Sequence, residues 1–524
     1  MSTVNTSNIT SGFIDLATYD ELEKYLYGCD TSVSYFVRTT VKSSWFTVVP
    51  VILPPSSGTP GFGKEFSVNI SRAGDYLLNV WLRVGIPPIT AIHSDAAALR
   101  LRWCQNLMHN LVKKVCITFN DLLVSEFDSF HLDMWSAFTV PAGKHAAYNE
   151  MIGQRIDLID LTSEPPVLAT DAGKNFQVFP AKINPGGSAP VVVWPNSVLT
   201  SGQPEQMYLN LPLPFFFSRD SGVALPTAAL PYNEMVITFT LRDWNELLIA
   251  ESPSSNTPNT EYRHIPTMND IVGTVEPELT SVQVWANYAI VSNDERKRMA
   301  CSPRDILIEQ VQTMQPILYS PQLRRDPRID LRFSHAVKAM FFAVRNITFE
   351  NERSVYTVGS PLQGGMEDGV TNKYTSQWAV NPLDHVDLVY ENTKRLGNMG
   401  ADFFTHVNPY YTSESIPEAD GCHCYSYALD LTCLDPMGST NYGKLSNVSI
   451  IPYATDLAVA ANAQPLPAPS TTTLPLSQVG NQPLGPTSIN GSGVNITQKY
   501  QFMLDCVNFN IVRVSGGTLG FPIL

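Results

Sequence analysis

The stretch LPLPFFFSRDSGVALPTAALPYNEMVITFTL, from Leu211 to Leu241, packs strand, turn and strand signals into one run just before the chain's midpoint. Phe215, Phe216 and Phe217 form a bulky β-favouring cluster between Pro214 and a polar break at Ser218 to Gly222, which reads as a turn. Pro226 and Pro231 bracket a short apolar piece. After it, Met235, Ile237, Phe239 and Leu241 alternate with Val236, Thr238, Thr240 and Arg242, the period of a strand with one face in a core. The run predicts a hairpin that finishes the first domain, with Arg219 and Asp220 either a buried ion pair in a tight turn or a solvated turn. It carries no sign of a reaction centre.

The totals set the class. A chain of 524 residues is too long for one ordinary core and implies two domains of roughly 200 to 250 residues. Charged residues are only 16%, aromatics reach 10%, and 39 Pro and 31 Gly suit many short strands joined by turns, so the chain is expected to be all-β. A net charge of −14 argues against a surface that must neutralise phosphates, and no nucleic-acid contact is expected. The basic groups Arg296, Lys297, Arg298 and Arg324, Arg325, Arg328 have acids beside them and read as solvated faces. Eight scattered cysteines do not make a disulfide scaffold, and reduced thiols are expected. The N-terminus lacks the segments of a signal peptide, and no apolar run approaches the about 20 residues needed to span a bilayer. Cytoplasmic synthesis follows as the expectation, so sequons such as Asn346-Ile347-Thr348 carry little meaning.

Along the chain, Thr18 and Glu21 suggest a capping box for a short helix whose Leu22, Tyr25 and Leu26 dock on this chain or on a partner. Strand texture begins near Tyr35 and continues through WFTVVPVIL from Trp45, EFSVNI and YLLNVWLRV. Glu126 to Ala137 looks helical. The expected division is an N-terminal arm over 1–30, a first domain over 31–250 with a long loop near 163–206, a linker over 251–280, and a second domain over 281–524 with a long loop near 456–493. Ser292 and Glu295 cap a short charged helix, and YQFMLDCV and FNIVRV read as two final strands.

Chemistry is thinly marked. There is no Walker-type loop, no GxGxxG after a strand and no G-x-S-x-G elbow. Cys422, His423, Cys424 and Cys433 are residue types that zinc accepts. On a strand, however, Cys422 and Cys424 face one way and His423 the other, so a packed strand is the better reading, and no metal, cofactor or catalytic residue is assigned. His335 reads as a satisfied core or interface histidine.

Taken together, SGFIDLATYDELEKYLYG, EFSVNISRAGDYLLNVWL, RWCQNLMHN, LPLPFFFSRDSGVALPTAALPYNEM, DLRFSHAVKAMFF, YENTKRLGNMG, SYALD with GSTNYGKLSN, and GTLGFPIL resemble, in order and end to end, the major capsid proteins of iridoviruses and related large cytoplasmic DNA viruses. Arg219, Asp220, Gly222, Pro226, Pro231, Tyr232, Asn233 and Glu234 are the most specific mark. The resemblance implies two consecutive eight-stranded jelly rolls with short helices and long loops, and a structural, non-enzymatic subunit. It also implies a homotrimeric capsomer of pseudo-hexagonal outline that tiles the icosahedral shell of a double-stranded DNA virus, assembled in host cytoplasm. Implied partners are neighbouring capsomers, minor capsid and penton proteins, and the inner viral membrane through the N-terminal region. The loops near 163–206 and 456–493 are expected to be longer than the family pattern and to project at the outer or intersubunit surface. The rival readings are a minor capsid or scaffold member of the lineage, and a jelly-roll carbohydrate-binding protein or hydrolase.

Overall fold

The computed structural model describes residues 6–27, 32–87, 89–91, 93–94, 97–98, 100–154, 176–178, 207–251, 263–271, 273–301, 303–321, 328–359, 366–367, 374–375, 380–417, 420–464 and 497–521. It divides into two units, Met1–Trp45 and Phe46–Leu524. The first unit holds helices Thr6–Ala17 and Glu21–Tyr27. The capping box sits at Asp20 and Glu23 rather than Thr18 and Glu21: Asp20 Oδ1 accepts from Leu22 N at 2.8 Å while Glu23 Oε2 accepts from Asp20 N at 3.2 Å. The arm therefore extends to Trp45, and residues 31–45 do not open the first sheet as expected.

In the second unit the first eight principal strands are β1 (Phe46–Leu53), β2 (Glu65–Asn69), β3 (Tyr76–Ile86), β4 (Val112–Phe119), β5 (Leu122–Asp128), β6 (Met207–Pro212), β7 (Met235–Leu241) and β8 (Ser281–Val291). They form two antiparallel sheets in the orders β1-β8-β3-β6 and β5-β4-β7-β2. The second eight are β9 (Arg304–Thr313), β10 (Ile329–Leu331), β11 (Ala336–Asn346), β12 (Leu383–Tyr390), β13 (Thr393–Gly400), β14 (His423–Ser426), β15 (Val448–Ala454) and β16 (Tyr500–Ser515), in the orders β9-β16-β11-β14 and β13-β12-β15-β10. Add eight to each number of the first set and the second set results. Both halves are jelly rolls, in which consecutive strands alternate between facing sheets except at the central hairpins β4–β5 and β12–β13.

Several expectations are corrected by this order. The opening stretch is not a hairpin: β6 and β7 lie in opposite sheets, and Phe216 and Phe217 begin a short 3₁₀ turn, Phe216–Ser218, beyond the strand end. β7 does show the predicted alternation, with Met235, Ile237, Phe239 and Leu241 buried and the residues between them half-buried. Ser281–Val291 does not begin the second jelly roll. It is the last strand of the first, inserted between β1 and β3. The described residues of the expected linker 251–280 accordingly belong to the first half, where Arg263–His264 pairs with Leu248–Glu251 and that strand with Arg100–Trp103. The connection between the halves is the helix Asn293–Cys301. Glu126 to Asp128 finish β5, and the helix runs Ser129–Thr139. The final strands merge into the 16-residue β16, and Asp456–Ala463 is a helix capped by Thr455 rather than loop. Of the 163–206 loop, Phe176–Val178 pairs with Ile89–Ala91; the rest, like residues 465–493, lies outside the described residues.

Two-residue turns repeat between the halves. Asn120 and Asp121 join β4 to β5, and Glu391 and Asn392 join β12 to β13, all four at positive φ. This matches a type I′ turn, whose twist suits the paired strands.

Asp75, buried at the start of β3, ties the closing strand in place. Its carboxylate accepts from Arg296 Nε at 2.7 Å, Arg296 Nη2 at 2.8 Å and Val291 N at 2.9 Å. The Arg296 guanidinium holds the Asp75 carboxyl below the usual range. Asp75→Asn removes the charge from this bidentate contact and is expected to destabilise the protein by about 1.5 to 3 kcal/mol, read as a lower urea midpoint at pH 7.

Candidate functional site

The richest polar chemistry lies where the two jelly rolls meet. Strand β11 and the first part of β16, Tyr500 to Asn508, are buried on both faces, which is why they read as near-continuous runs with few polar residues. Val337, Met340, Phe342 and Val344 face the second core with Phe502, Leu504 and Cys506. Ala339, Phe341, Ala343, Met503 and Val507 face outward, where they receive Phe130, Met134 and Phe138 of the helix Ser129–Thr139. That helix starts where Asp128 Oδ1 accepts from His131 N at 2.9 Å. The first core also takes in Ile306, Ile308, Val512, Val514 and Leu519 from the second half.

Within this apolar junction sits a charge cluster. Glu309 of β9 meets Lys338 Nζ at 2.5 Å and Arg219 Nε at 3.3 Å. Lys338 occupies a break in the β11–β16 register, between Val337 and Ala339, so a β-bulge turns its side chain to the junction, where Nζ also donates to the Cys433 carbonyl at 2.5 Å. Arg219 lies with its guanidinium carbon 3.5 Å from the centre of the Trp135 ring. A second knot surrounds Asp133. Its Oδ1 lies 2.6 Å from His109 Nδ1 and accepts from Asn106 Nδ2 at 2.9 Å, while Oδ2 accepts from Ser354 Oγ at 2.6 Å and Tyr356 OH at 2.8 Å. Close by, His131 Nδ1 lies 3.7 Å from Asp505 Oδ2 with no hydrogen bond between them. Burial, helped by the charge of Arg219, pulls the His131 pKa down to about 3, and burial drives the Asp505 carboxyl well above its ordinary value. His131 is therefore neutral at pH 7, and burial favours the protonated form of Asp505.

The residues marked in the sequence belong to this junction. Arg219 pairs with Glu309, not with its neighbour Asp220, which is exposed beside Ser221. The Gly222 carbonyl accepts from Arg304 Nη2 at 2.9 Å. Pro226 precedes the 3₁₀ turn Thr227–Ala229. The carbonyls of Leu230, Pro231 and Asn233 all accept from Arg72 Nη2 at 2.9 to 3.0 Å. Asn233 Oδ1 accepts from Leu519 N at 3.1 Å, and Tyr232 packs against Gly517, where a Cβ would come within 2.7 Å of the ring. Glu234 exchanges two hydrogen bonds with Asn120. The segment is a clamp: it grips its own sandwich through Arg72 and Asn120, and the other through Glu309, Arg304 and the C-terminal hairpin.

The zinc candidates are not brought together as ligands. His423 stacks on Phe342 at 5.1 Å, with Nδ1 3.2 Å from the Phe342 carbonyl and Nε2 2.9 Å from Asn381 Nδ2. Cys422 and Cys424 pack on the opposite face, against the helix Ser129–Thr139, and burial pushes both thiols up. Cys433 contributes its carbonyl to Lys338. Among the described residues no group of three or more His, Cys, Asp and Glu is placed to hold a metal. Sequence reasoning missed Glu309, Lys338 and Asp505. Their shared signal is a lone charge inside an apolar strand run, as in ILIEQV, HAVKAMFF and FMLDCV.

Two jelly rolls fused through a common core and a buried clamp define the class of double jelly-roll capsid subunits. The fold is that of the PBCV-1 virus capsid, with a TM-score of 0.64 at 18% identity over 94% of this chain and 100% of that one. The Faustovirus major capsid protein gives 0.59 at 13% identity, over 95% of each chain. Residues 34–291 match the family described as "Major capsid protein N-terminus", and residues 295–478 match "Large eukaryotic DNA virus major capsid protein". The two matches part where β8 ends. The major capsid protein of Costelytra zealandica iridescent virus is 48% identical over 99% of this chain and 100% of its own length, and that of Lymphocystis disease virus 1 is 43% identical over the whole of both. The chain belongs to the major capsid proteins of iridoviruses and other large eukaryotic DNA viruses, structural proteins of the virion shell.

Two outcomes test the junction. Glu309→Leu strands two buried cations and is expected to cost about 3 to 5 kcal/mol, whereas the triple replacement Arg219→Met, Glu309→Leu, Lys338→Met recovers most of that loss; chemical denaturation reads both. His131 has a folded pKa of about 3 against about 6.5 unfolded, so the unfolded state takes up a proton first. Its contribution is whole above pH 6.5 and is lost progressively as pH falls toward 3. His131→Phe is expected to flatten the fall in thermal midpoint across that window relative to wild type.

Proposed function

We propose that the subunit assembles as a homotrimer of pseudo-hexagonal outline and that this capsomer tiles an icosahedral shell. What carries the reading is the clamp. Two sandwiches of one strand order, locked by a buried ionic cluster and a shared core, give one rigid body with two similar lobes, and three such bodies around an axis present six lobes. Many modest contacts, repeated around each capsomer, then hold a shell that no single contact could hold.

On this reading the protein acts by shape and carries no catalytic site. Neighbouring capsomers are its main partners, with minor capsid and penton proteins at the edges and vertices. The N-terminal arm, with Phe13, Leu16, Leu22, Tyr25 and Leu26 on its two helices, supplies apolar surface toward minor capsid proteins and the inner viral membrane. The net charge of −14 fits a shell wall that leaves nucleic acid to other components. Assembly in host cytoplasm is part of the same proposal.

Purified under reducing conditions, the protein is expected to have a solution mass of 3 × 57.9 = 173.7 kDa and a hexagonal outline in low-resolution images. A stable 57.9 kDa monomer across the concentrations used for assembly would remove the reading.

A further inference from the structure

Beside the clamp, between the helices Ser129–Thr139 and Ala142–Ile152 and the edge strand β6, lies a cavity of about 700 Å³. Its wall is mainly apolar, with Trp81, Leu132, Trp135, Tyr148 and Met151 lining it together with Arg219. Several polar groups in the wall already have partners: Tyr148 OH lies 2.8 Å from His109 Nε2, Thr139 Oγ1 donates to the Trp135 carbonyl at 2.6 Å, and Ser218 Oγ donates to the Phe215 carbonyl at 2.7 Å.

Arg219 is different. Its side chain is 10% exposed, its guanidinium is held flat over Trp135, and its carboxylate neighbour Glu309 is shared with Lys338. Glu309 is thus divided between two cations, and the second, Lys338, also has the Asp430 carboxylate in its field, whereas Arg219 has only its share of Glu309. Among the described residues Arg219 Nε makes no hydrogen bond despite its 3.3 Å approach to Glu309. The volume falls in the range of roughly 300 to 1,000 Å³ usual for small-molecule sites, which combine apolar walls with a few placed polar groups.

We propose that this cavity is a binding site for an amphipathic carboxylate of the fatty-acid class. The carboxylate takes the two forked N–H groups of Arg219, which otherwise has only its share of Glu309, and the acyl chain lies along Trp81, Leu132, Tyr148 and Met151. A neutral amphiphile offers the guanidinium no anionic partner, and a small inorganic anion leaves the apolar wall wet. Because the headgroup contact includes a clamp residue, an occupied cavity also stiffens the junction between the jelly rolls.

The test is calorimetric titration of the full-length protein with laurate and, separately, with 1-dodecanol of the same chain length. Laurate is expected to bind saturably and to raise the thermal midpoint, with dodecanol weaker by about tenfold or more. Met151→Trp fills the cavity without touching Arg219 or Glu309 and is expected to weaken laurate binding by about tenfold or more while solution mass and thermal midpoint stay at wild-type values. Should that variant shift mass or midpoint, Arg219→Lys takes its place: it keeps a cation beside Glu309, removes the fork, and narrows the preference for laurate over dodecanol. Equal affinity for the two probes, undiminished binding by the valid variant, or no laurate binding at all overturns the proposal.

Discussion

Glu309 is one carboxylate with two cations on it, sealed inside a junction whose packing surfaces are mainly Phe, Met, Ala and Val. Taking three charges out of water costs several kcal/mol for each ion, and the attraction among them offsets that only when the partners are held at contact distance. Each of the three is so held, by a different device. A bulge re-aims Lys338, the Trp135 face supports Arg219, and β9 carries Glu309 between β16 and the first sandwich. The cluster thereby fixes a loop of one jelly roll against two strands of the other. Rotating either lobe would pull cation from carboxylate inside a medium that cannot rehydrate them.

That constraint explains why β11 and the first part of β16 are buried on both faces. In a lone sandwich the outer face would be polar, as alternation along β7 shows at its half-buried positions. Here the outer face of the second lobe is the floor on which the helix Ser129–Thr139 sits, and the core of the first lobe runs on into Ile306, Ile308, Val512 and Val514. A coat subunit must meet several neighbours at once in one shape, and a hinge between its lobes would spread those contacts over many geometries.

The sequence made the strand class plain because β7, β2 and β3 carry their period on the surface of the text: Phe66, Val68 and Phe239 face inward wherever the chain is read. It did not reveal which sheet a strand joins. Outside its central hairpin, a jelly roll sends neighbours in sequence to the opposite sheet, so Pro226 and Pro231, which look like hairpin punctuation, instead mark a passage across the end of the sandwich. The Pro- and Thr-rich run over 252–277 looked like a domain boundary for a related reason. Composition reports that a segment is loop, and only pairing reports that β8 returns afterwards to fill the gap between β1 and β3. The motif around Arg219 was legible as distinctive, but its partners were not, since Glu309 and Lys338 lie 90 and 119 positions downstream (309 − 219 and 338 − 219).

Buried ion pairs are weak evidence of stability, since well-packed apolar groups often do as well. The use of this cluster is better sought in geometry. Apolar contact is non-directional, so two smooth faces of Ala, Val and Phe accept several relative placements at similar free energy. A carboxylate that must reach a bulged Lys on one strand and a stacked Arg on another loop accepts one. The Asp133 knot repeats the device on the same helix, with donors from Asn106 on its own lobe and Ser354 and Tyr356 on the other. Two directional locks at separate points on a common apolar floor remove rotation as well as sliding, so the angle between the lobes is set within each subunit before any neighbour is met.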